Sequence, residues 1–485
     1  MAAIALLDQG KAADALARAD TFLSKHASKA AAESVLDVRA IRAEALLALG
    51  KHADAANAYR ELAAANPQAA RRPSWLLREG TALAADKQWQ KAHDVLGPAT
   101  ATLSGDQQAE ALFLDATALV ELKQAAPAAK LLATIDTAHP KWPRRDESLL
   151  LATRALRETG DKPAALAAAE RLMKEFPDNK NADVGWYRLG QSRQDAGKFD
   201  EAIDAFTKAR AAKPQGSRAP WALLATGWCH ESQKRLPEAI KAWSELISAH
   251  PDSAAASSAF LARGDARYRT GDFAGGGADA ERILDLVAKG SAKLDPAATG
   301  EARLLQGLCL SSEKKYAQAA AAFQKLLKEQ PDFPAADRAL FELGLAQALG
   351  DKPAEATPTF EAFVKRFPSS SQAADAWLEI GEARWKANNW PGAAEAYRAA
   401  IGWVDAGSRY QGSGVFRRID AAAAAAARTA SHLFRARRRG RRPRGEVGRQ
   451  PRHRGKVPGG RTRLAAGRGG PLRGGLGPAE PRQTR

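Results

Sequence analysis

The chain has 485 residues, of which 45% are hydrophobic, and it carries a formal net charge of +18. This length corresponds to two to four ordinary globular domains or to one long repeat array. No stretch approaches the roughly 20 apolar residues that a membrane-spanning helix requires. The two cysteines exclude a disulfide-rich scaffold and a cysteine-rich zinc site, and the eight histidines lack the clustered spacing of metal ligands.

The positive charge is concentrated at one end of the chain. Residues 431–485 contain 16 arginines and one lysine against two glutamates, whereas residues 1–430 hold nearly equal numbers of basic and acidic groups. From Arg435 onward arginine, glycine and proline dominate, and such a segment is too polar to fold alone. It indicates either a disordered tail that binds nucleic acid or an acidic surface, or an out-of-frame reading of GC-rich DNA.

Prolines recur at a fixed interval of 37 residues, at Pro140, Pro177, Pro214 and Pro251, and again at Pro331 and Pro368. A fixed interval of this length is typical of a repeat array. In residues 183–214, apolar side chains fall at helical spacing on both sides of Gly197, and a proline follows the second stretch. Each unit is therefore predicted to form a helix, a tight turn and a second helix.

This unit resembles a tetratricopeptide repeat. It matches the spacing of that family at Trp186, Leu189, Gly190, Gly197, Ala202, Phe206 and Pro214. Ten units begin near residues 36, 73, 109, 146, 183, 220, 257, 300, 337 and 374, and a half unit precedes them. The resemblance covers about residues 1–407 and implies an all-α, right-handed superhelical solenoid of about ten helix-turn-helix units.

Two positions of the unit hold small residues almost throughout. In the unit at 183 these are the eighth residue, Gly190, and the twentieth, Ala202. Small side chains there should let the two helices approach closely, and large residues at the twenty-fourth position should fill the remaining space. That position holds Tyr59, Phe206, Trp243, Phe323, Phe360 and Tyr397.

The chain is predicted to divide into a partial first repeat (1–35), two halves of the array (36–290 and 291–407) and an irregular to disordered tail (408–485). The division between the halves depends on a longer step of 43 residues between the units at 257 and 300. Three consecutive glycines, 275–277, lie in the second helix before that step, and each costs about 1 kcal/mol relative to alanine. This junction should be the weakest of the array, either as a tolerated loop insertion or as a hinge.

No motif in the chain points to catalysis, a cofactor or a metal. The segment from Gly190 to Lys198 has six residues between its glycines instead of the four of a phosphate-binding loop, and no strand is predicted before it. Cys229 is followed by a histidine, but neighbouring residues on a helix point in different directions. Cys229 and Cys309 share the tenth position of their units, which indicates a packing role rather than a nucleophile.

In the family, the inner faces of the first helices form a groove for peptides. Carried over by position, the resemblance implies a partner-binding groove lined by Arg154, Arg157, Tyr187, Gln191, Gln194, Trp221, Leu224, Trp228, Glu231, Asp265, Tyr268, Phe341 and Trp385. Aromatic anchors with a polar fringe suit a protein or peptide partner. The alternative is an ordinary solvated face in which the tryptophans only pack.

One specificity known in the family is not expected here. Chaperone-binding members hold a C-terminal carboxylate with a lysine at the fifth position of the unit, where this chain has apolar or aromatic residues such as Tyr187, Leu224 and Phe341. The chain is therefore predicted to be a non-catalytic scaffold, without a cofactor, that binds a protein or peptide. Binding of nucleic acid or of an acidic surface through residues 431–485 is the alternative function.

The 37-residue interval and the links at 250–253 and 367–370 are similar to those of bacterial cell-envelope proteins in this family. The similar proteins are the Tol-Pal-associated coordinators and the outer-membrane assembly lipoproteins. Residues 1–7 lack the basic start of an export signal, and Asp8 interrupts the apolar run. As given, the chain is expected to be cytoplasmic; a longer N-terminus would place it in the periplasm. Its oligomeric state is left open.

Overall fold

A computed structural model describes residues 2–290, 296–350 and 352–405, together with four isolated positions between 424 and 431. These ranges contain 22 α-helices and two short 3-10 turns (Ala27–Lys29 and Thr100–Thr102), and they contain no strand. The predicted tail, residues 408–485, lies outside the described residues except for those four positions. Within its described part the chain is all-α, as the repeat pattern predicts.

The helices follow one another in pairs. They are α1 (Ala2–Asp8), α2 (Ala12–Lys25), α3 (Ala32–Ala48), α4 (His52–Ala65), α5 (Arg72–Ala85), α6 (Trp89–Ala99), α7 (Gly105–Glu121), α8 (Ala125–Ala138), α9 (Arg145–Glu158), α10 (Lys162–Glu175), α11 (Ala182–Asp195), α12 (Phe199–Ala212), α13 (Ala219–Ser232), α14 (Leu236–Ala249), α15 (Ala254–Thr270), α16 (Phe273–Ala288), α17 (Pro296–Ser312), α18 (Tyr316–Glu329), α19 (Ala336–Leu349), α20 (Pro353–Arg366), α21 (Ala373–Lys386) and α22 (Trp390–Asp405). The odd-numbered helices from α3 onward are the first helices of the ten predicted units, and α1 with α2 forms the shorter unit before them.

The described residues form two compact units, with the division between residues 233 and 234. Unit 1 contains α1–α13, and each of its helices packs against the next one along the chain. Unit 2 contains α14–α22, which pack in the same consecutive way. The division of the array at residue 290, inferred from the sequence, stays a prediction.

The two helices of a pair are joined by a turn whose central residue has a positive φ. Glycine fills this fifteenth position at Gly50, Gly160 and Gly197, with φ between 72° and 83°. At Lys87 and Lys123 a lysine adopts the same conformation, with φ of 59° and 64°. A side chain in this left-handed region costs roughly 1–2 kcal/mol, so packing of the two helices must outweigh the local strain.

The small residue at the eighth position of a unit leaves space for the large side chain at the twenty-fourth position of the same unit. A Cβ atom on Gly190 would lie 2.5 Å from Cε1 of Phe206, and one on Gly307 would lie 2.4 Å from Cε1 of Phe323. Both phenylalanines are fully buried. The predicted close approach of the paired helices is confirmed, because the ring of the second helix occupies the space that a side chain on the first helix would need.

Gly307→Ala should lower the free energy of unfolding by about 1–3 kcal/mol, because the added methyl group overpacks the site of Phe323. The gain of about 1 kcal/mol that alanine brings to a helix interior offsets only part of the cost of overpacking. Urea unfolding followed by circular dichroism measures the change. Gly277→Ala is the matched control, since a Cβ there meets only Cys309 Cβ at 3.5 Å, and it should stabilise the chain. Equal effects of the two substitutions would contradict the packing argument.

The three glycines at 275–277 lie inside a continuous helix, α16. A Cβ on Gly276 would lie 2.9 Å from the carbonyl oxygen of Gly264 and 3.1 Å from Sγ of Cys309. Gly276 therefore allows α16 to approach the backbone of α15 and the side chain of α17 closely. The expectation that this junction is the weakest of the array stays a prediction.

Candidate partner-binding surface

The first helices form the inner layer of each unit. In unit 1, α5 contacts α7, α7 contacts α9, α9 contacts α11 and α11 contacts α13; in unit 2, α15 contacts α17 and α17 contacts α19. Within the described ranges, no two second helices make comparable contact. The inner face of the first helices is therefore a layer of its own in each unit, and all thirteen predicted groove residues lie on first helices.

Two arginines on the inner layer of unit 1 are held in ion pairs. Arg154 donates from Nη1 to Glu121 Oε1 at 2.7 Å and from Nε to Glu158 Oε1 at 3.0 Å. Arg157 donates from Nε to Asp195 Oδ2 at 2.8 Å. These bonds connect α9 to α7 and to α11. Both side chains are partly exposed. A ligand on this face would therefore meet two guanidinium groups that are fixed in place and whose charges are already balanced by neighbouring carboxylates.

Tyr187 and Gln191 lie beside these arginines but are buried. The ring of Tyr187 packs against Phe206 with centroids 5.7 Å apart. Gln191 Nε2 donates to the Tyr187 hydroxyl at 3.3 Å and its Oε1 accepts from Arg188 Nη1 at 3.0 Å. Burial raises the pKa of Tyr187. These two predicted groove residues thus belong to a buried polar cluster beneath the surface.

Two further arginines of this cluster were not identified from the sequence. Arg188 on α11 is buried, and its pKa is lowered to about 9, first by burial and then by the charge of Arg218. Arg218 is the N-cap residue of α13 and only 3% exposed. Its guanidinium carbon lies 5.6 Å from the centre of the Tyr187 ring. The available signal was an arginine two residues before the units at 73, 146 and 220: Arg71, Arg144 and Arg218.

On α13 the inner face carries tryptophans. Trp221 and Trp228 are partly exposed and lie seven residues apart, which places them on the same side of the helix. Leu224 between them is fully buried and belongs to the core. Gln194 on α11 and Glu231 on α13 are also partly exposed. The accessible part of the surface in unit 1 therefore combines two indole rings with a polar fringe.

In unit 2 the predicted residues of α15 lie close together. Asp265 accepts a hydrogen bond from Arg269 Nη1 at 3.3 Å. Tyr268 packs against Phe273 with ring centroids 5.6 Å apart, and burial raises the pKa of its hydroxyl. Both predicted residues are partly exposed, so a ligand on this face would meet a carboxylate beside an aromatic ring.

The remaining two predicted residues of unit 2 have different surroundings. Phe341 is buried between Phe360 and Phe363, with ring centroids 5.6 and 5.7 Å away, and it belongs to the core. Trp385 is partly exposed and meets Trp390 edge to face at 4.7 Å. Only Trp385 of this pair can offer surface to a partner.

The two cysteines and the possible metal ligands can be located in the described residues. No group of three or more histidine, cysteine, aspartate or glutamate side chains in the described ranges could hold a metal ion. Cys229 and Cys309 are both fully buried, and burial raises the pKa of each thiol to about 12. The predicted packing role of the two cysteines is confirmed. None of the described helices is both long and apolar enough to cross a membrane.

Comparison with protein families gives two matches. The model described as tetratricopeptide repeat matches residues 1–70, 187–254, 261–332, 304–370 and 346–409, which together make up more than half of the chain. The model described as outer membrane lipoprotein matches residues 105–215. A comparison with curated proteins gives no match.

Several solved structures are similar to the chain. A tetratricopeptide repeat protein from Parabacteroides merdae is 18% identical, with 57% of this chain and 98% of that chain covered and a TM-score of 0.37. The C-terminal part of a repeat protein from Cytophaga hutchinsonii is 17% identical, with coverages of 54% and 99% and a TM-score of 0.44. The apo form of RapI is 9% identical, with coverages of 69% and 99% and a TM-score of 0.48.

Proposed function

Since this chain belongs to the tetratricopeptide repeat family, we propose that it is a non-catalytic scaffold that binds a protein or peptide segment on the inner face of its first helices. A repeat array of this kind offers an extended surface rather than a closed pocket. The confirmed family supports a role in protein interaction, and the particular surface is the part that we propose.

One observation carries the choice of surface: Trp221 and Trp228 remain partly exposed on a single face of α13. By contrast, Tyr187 and Phe206 on the neighbouring helices α11 and α12 are buried. Tryptophans are enriched among the residues that dominate binding energy, and they act best where polar neighbours exclude water around them. Gln194 and Glu231 can supply such a fringe.

The match of residues 105–215 to an outer membrane lipoprotein family supports a role in the bacterial cell envelope. The matched segment spans α7 to α12 and thus includes Arg154, Arg157 and Tyr187 of the proposed surface. We therefore place the scaffold among proteins that assemble or organise the envelope, with a protein or peptide as its partner.

Trp228→Ala should weaken partner binding at least about tenfold, the loss typical of a dominant interface residue. The full chain is used to capture proteins from lysate of the source cells, the retained proteins are identified by mass spectrometry, and the affinity of each purified candidate is then measured. The helical circular dichroism signal should stay unchanged.

Trp186→Ala provides the matched control, because this tryptophan lies on α11 away from the inner face, with the Lys208 ammonium of α12 4.8 Å from its ring centre. It should leave binding unchanged. If Trp228→Ala binds every captured partner as tightly as the original chain does, the proposed surface is wrong. Retention that depends only on residues 431–485 and disappears at high salt would favour nucleic-acid binding instead.

A further inference from the structure

A hydrogen bond recurs between successive repeats of unit 1. It joins the second residue of a repeat to a residue about 34 positions later in the chain. This later residue lies two positions before the first residue of the next repeat. The three pairs are Asp37 with Arg71 at 2.7 Å, Ser74 with Gln107 at 3.1 Å, and Glu110 with Arg144 at 2.5 Å. In two of the three, an arginine donates to a carboxylate. We call this recurring position the inter-repeat slot.

In the repeat at 183 the inter-repeat slot lacks its acceptor. The arginine is present as Arg218, but the residue 34 positions before it is Val184, whose side chain cannot accept a hydrogen bond. Nε and Nη1 of Arg218 are buried and have no hydrogen-bond partner. A guanidinium remains charged at any physiological pH, and a buried charge without a partner is costly. Arg218 is therefore a donor whose acceptor is missing from its own repeat.

The groups around Arg218 stabilise its positive charge only in part. Its guanidinium carbon lies 5.6 Å from the centre of the Tyr187 ring, and such a cation–π arrangement stabilises a cation. Burial lowers the pKa of Arg218, whereas its electrostatic interactions with Tyr187 and Asp183 raise it. Asp183 thus acts from a distance and does not supply the missing acceptor for Nε and Nη1.

The neighbouring groups add positive charge. The charges of Arg218, Arg157 and Arg154 each lower the pKa of Arg188, so these three guanidinium groups lie within electrostatic range of Arg188. Arg154 and Arg157 have carboxylate partners. Val184, which marks the place of the missing acceptor, is partly exposed. The place of the missing acceptor therefore borders solvent at Val184, whereas Nε and Nη1 of Arg218 lie just beneath the surface, where other repeats hold an internal carboxylate.

We propose that the inter-repeat slot at Arg218 binds a side-chain carboxylate from an acidic segment of the partner protein. The equivalent slots already show this chemistry, because Asp37 and Glu110 place a carboxylate oxygen against the matching arginine. Charge-assisted bonds of this kind are short and strong. The inference rests on the proposed function, since it names the chemistry of the partner that the scaffold binds.

The first test supplies the missing acceptor within the chain. Val184→Glu should pair with Arg218 and raise stability relative to Val184→Gln, which has the same length but no charge. The unfolding equilibrium constant should fall about tenfold, as expected for one hydrogen bond to a charged group. In an Arg218→Gln background the difference between glutamate and glutamine should disappear. The proposal is overturned if the stability difference between Val184→Glu and Val184→Gln persists in the Arg218→Gln background. It is also overturned if that difference is absent when Arg218 is present, because the slot then does not accept a carboxylate.

The second test supplies the acceptor from a ligand. The probe is a fluorescent 12-residue peptide with four glutamates in a glycine and serine background and an amidated C-terminus, and its binding to the full chain is measured by anisotropy. Arg218→Gln and Val184→Glu should each weaken binding about tenfold or more. Arg144→Gln is the matched control, because Arg144 already bonds to Glu110 and Glu147, and it should have no effect.

Two further peptides identify the source of the carboxylate. A glutamine version with an amidated C-terminus should not bind, and a glutamine version with a free C-terminus should bind no better. If the glutamine peptide with a free C-terminus binds as tightly as the amidated glutamate peptide, the assignment to a side-chain carboxylate is overturned.

The outcomes for the inter-repeat slot and for the proposed surface are distinguishable. If the slot does not bind a carboxylate, partner binding that depends on Trp228 remains. If the proposed surface does not bind a partner, the stabilisation by Val184→Glu remains.

Discussion

Phe206→Ala should lower the free energy of unfolding by about 3–5 kcal/mol. The ring is fully buried and fills the space that Gly190 leaves open on α11, where a Cβ would lie only 2.5 Å away. It also packs against Tyr187 at 5.7 Å. Because Gly190 cannot extend into the space left by the ring, the substitution creates a cavity between α11 and α12.

Guanidinium unfolding followed by circular dichroism measures the loss, and hydrogen exchange locates it. Exchange should accelerate most in α11 and α12, since repeats interact mainly with their neighbours. Thr207→Ala tests the adjacent, exposed position on the same helix and should change stability by less than about 0.5 kcal/mol. A comparable loss for both substitutions would show that the helix itself, rather than the cavity, determines the effect.

Asp279→Ala should cost about 3–5 kcal/mol, because it leaves two arginines of α15 without their shared carboxylate. Asp279 is 3% exposed. It accepts from Arg263 through Nη2 at 2.6 Å and Nε at 2.9 Å, and from Arg267 Nη1 at 2.9 Å. Both guanidinium groups would remain largely buried and lose their principal counter-charge.

Asp285→Ala is the control for this second prediction. Its carboxylate also pairs with basic groups, Lys289 at 2.8 Å and Arg282 at 3.3 Å, but all three lie near the surface of α16. Exposed pairs contribute about 0–1 kcal/mol. Chemical unfolding of the two variants side by side should separate them clearly. If Asp279→Ala is no more destabilising than Asp285→Ala, the buried network does not stabilise unit 2.

The sequence predicts the fold nearly completely because the repeat imposes the same constraint many times. Prolines at a fixed interval and small residues at the eighth position place α11 and α12 within one or two residues of where they lie. The structure of the turns was harder to predict, since Lys87 and Lys123 have the left-handed conformation that glycine usually marks. There, packing between the helices outweighs the preference of the residue.

The proposed site is predicted less well, because helical register locates a residue on a face but does not show what covers it. Tyr187, Leu224 and Phe341 lie at groove positions by register, yet they are buried. Arg218 lies outside the predicted set, because the contact that it lacks is to Val184, 34 positions earlier at the start of the same 37-residue repeat. Such a relationship becomes visible only when successive repeats are compared as packed pairs.

The inter-repeat slot also bears on how a chain of this kind evolves. Duplication of a whole repeat copies the arginine and its acid together, so every new copy starts with the bond satisfied, as at Asp37 and Arg71. A single nucleotide change can convert an aspartate or glutamate codon into a valine codon, which opens one slot and leaves the helices on either side intact. On the proposal that such a slot accepts a partner's carboxylate, new binding specificity arises in a tandem array through the loss of an internal contact.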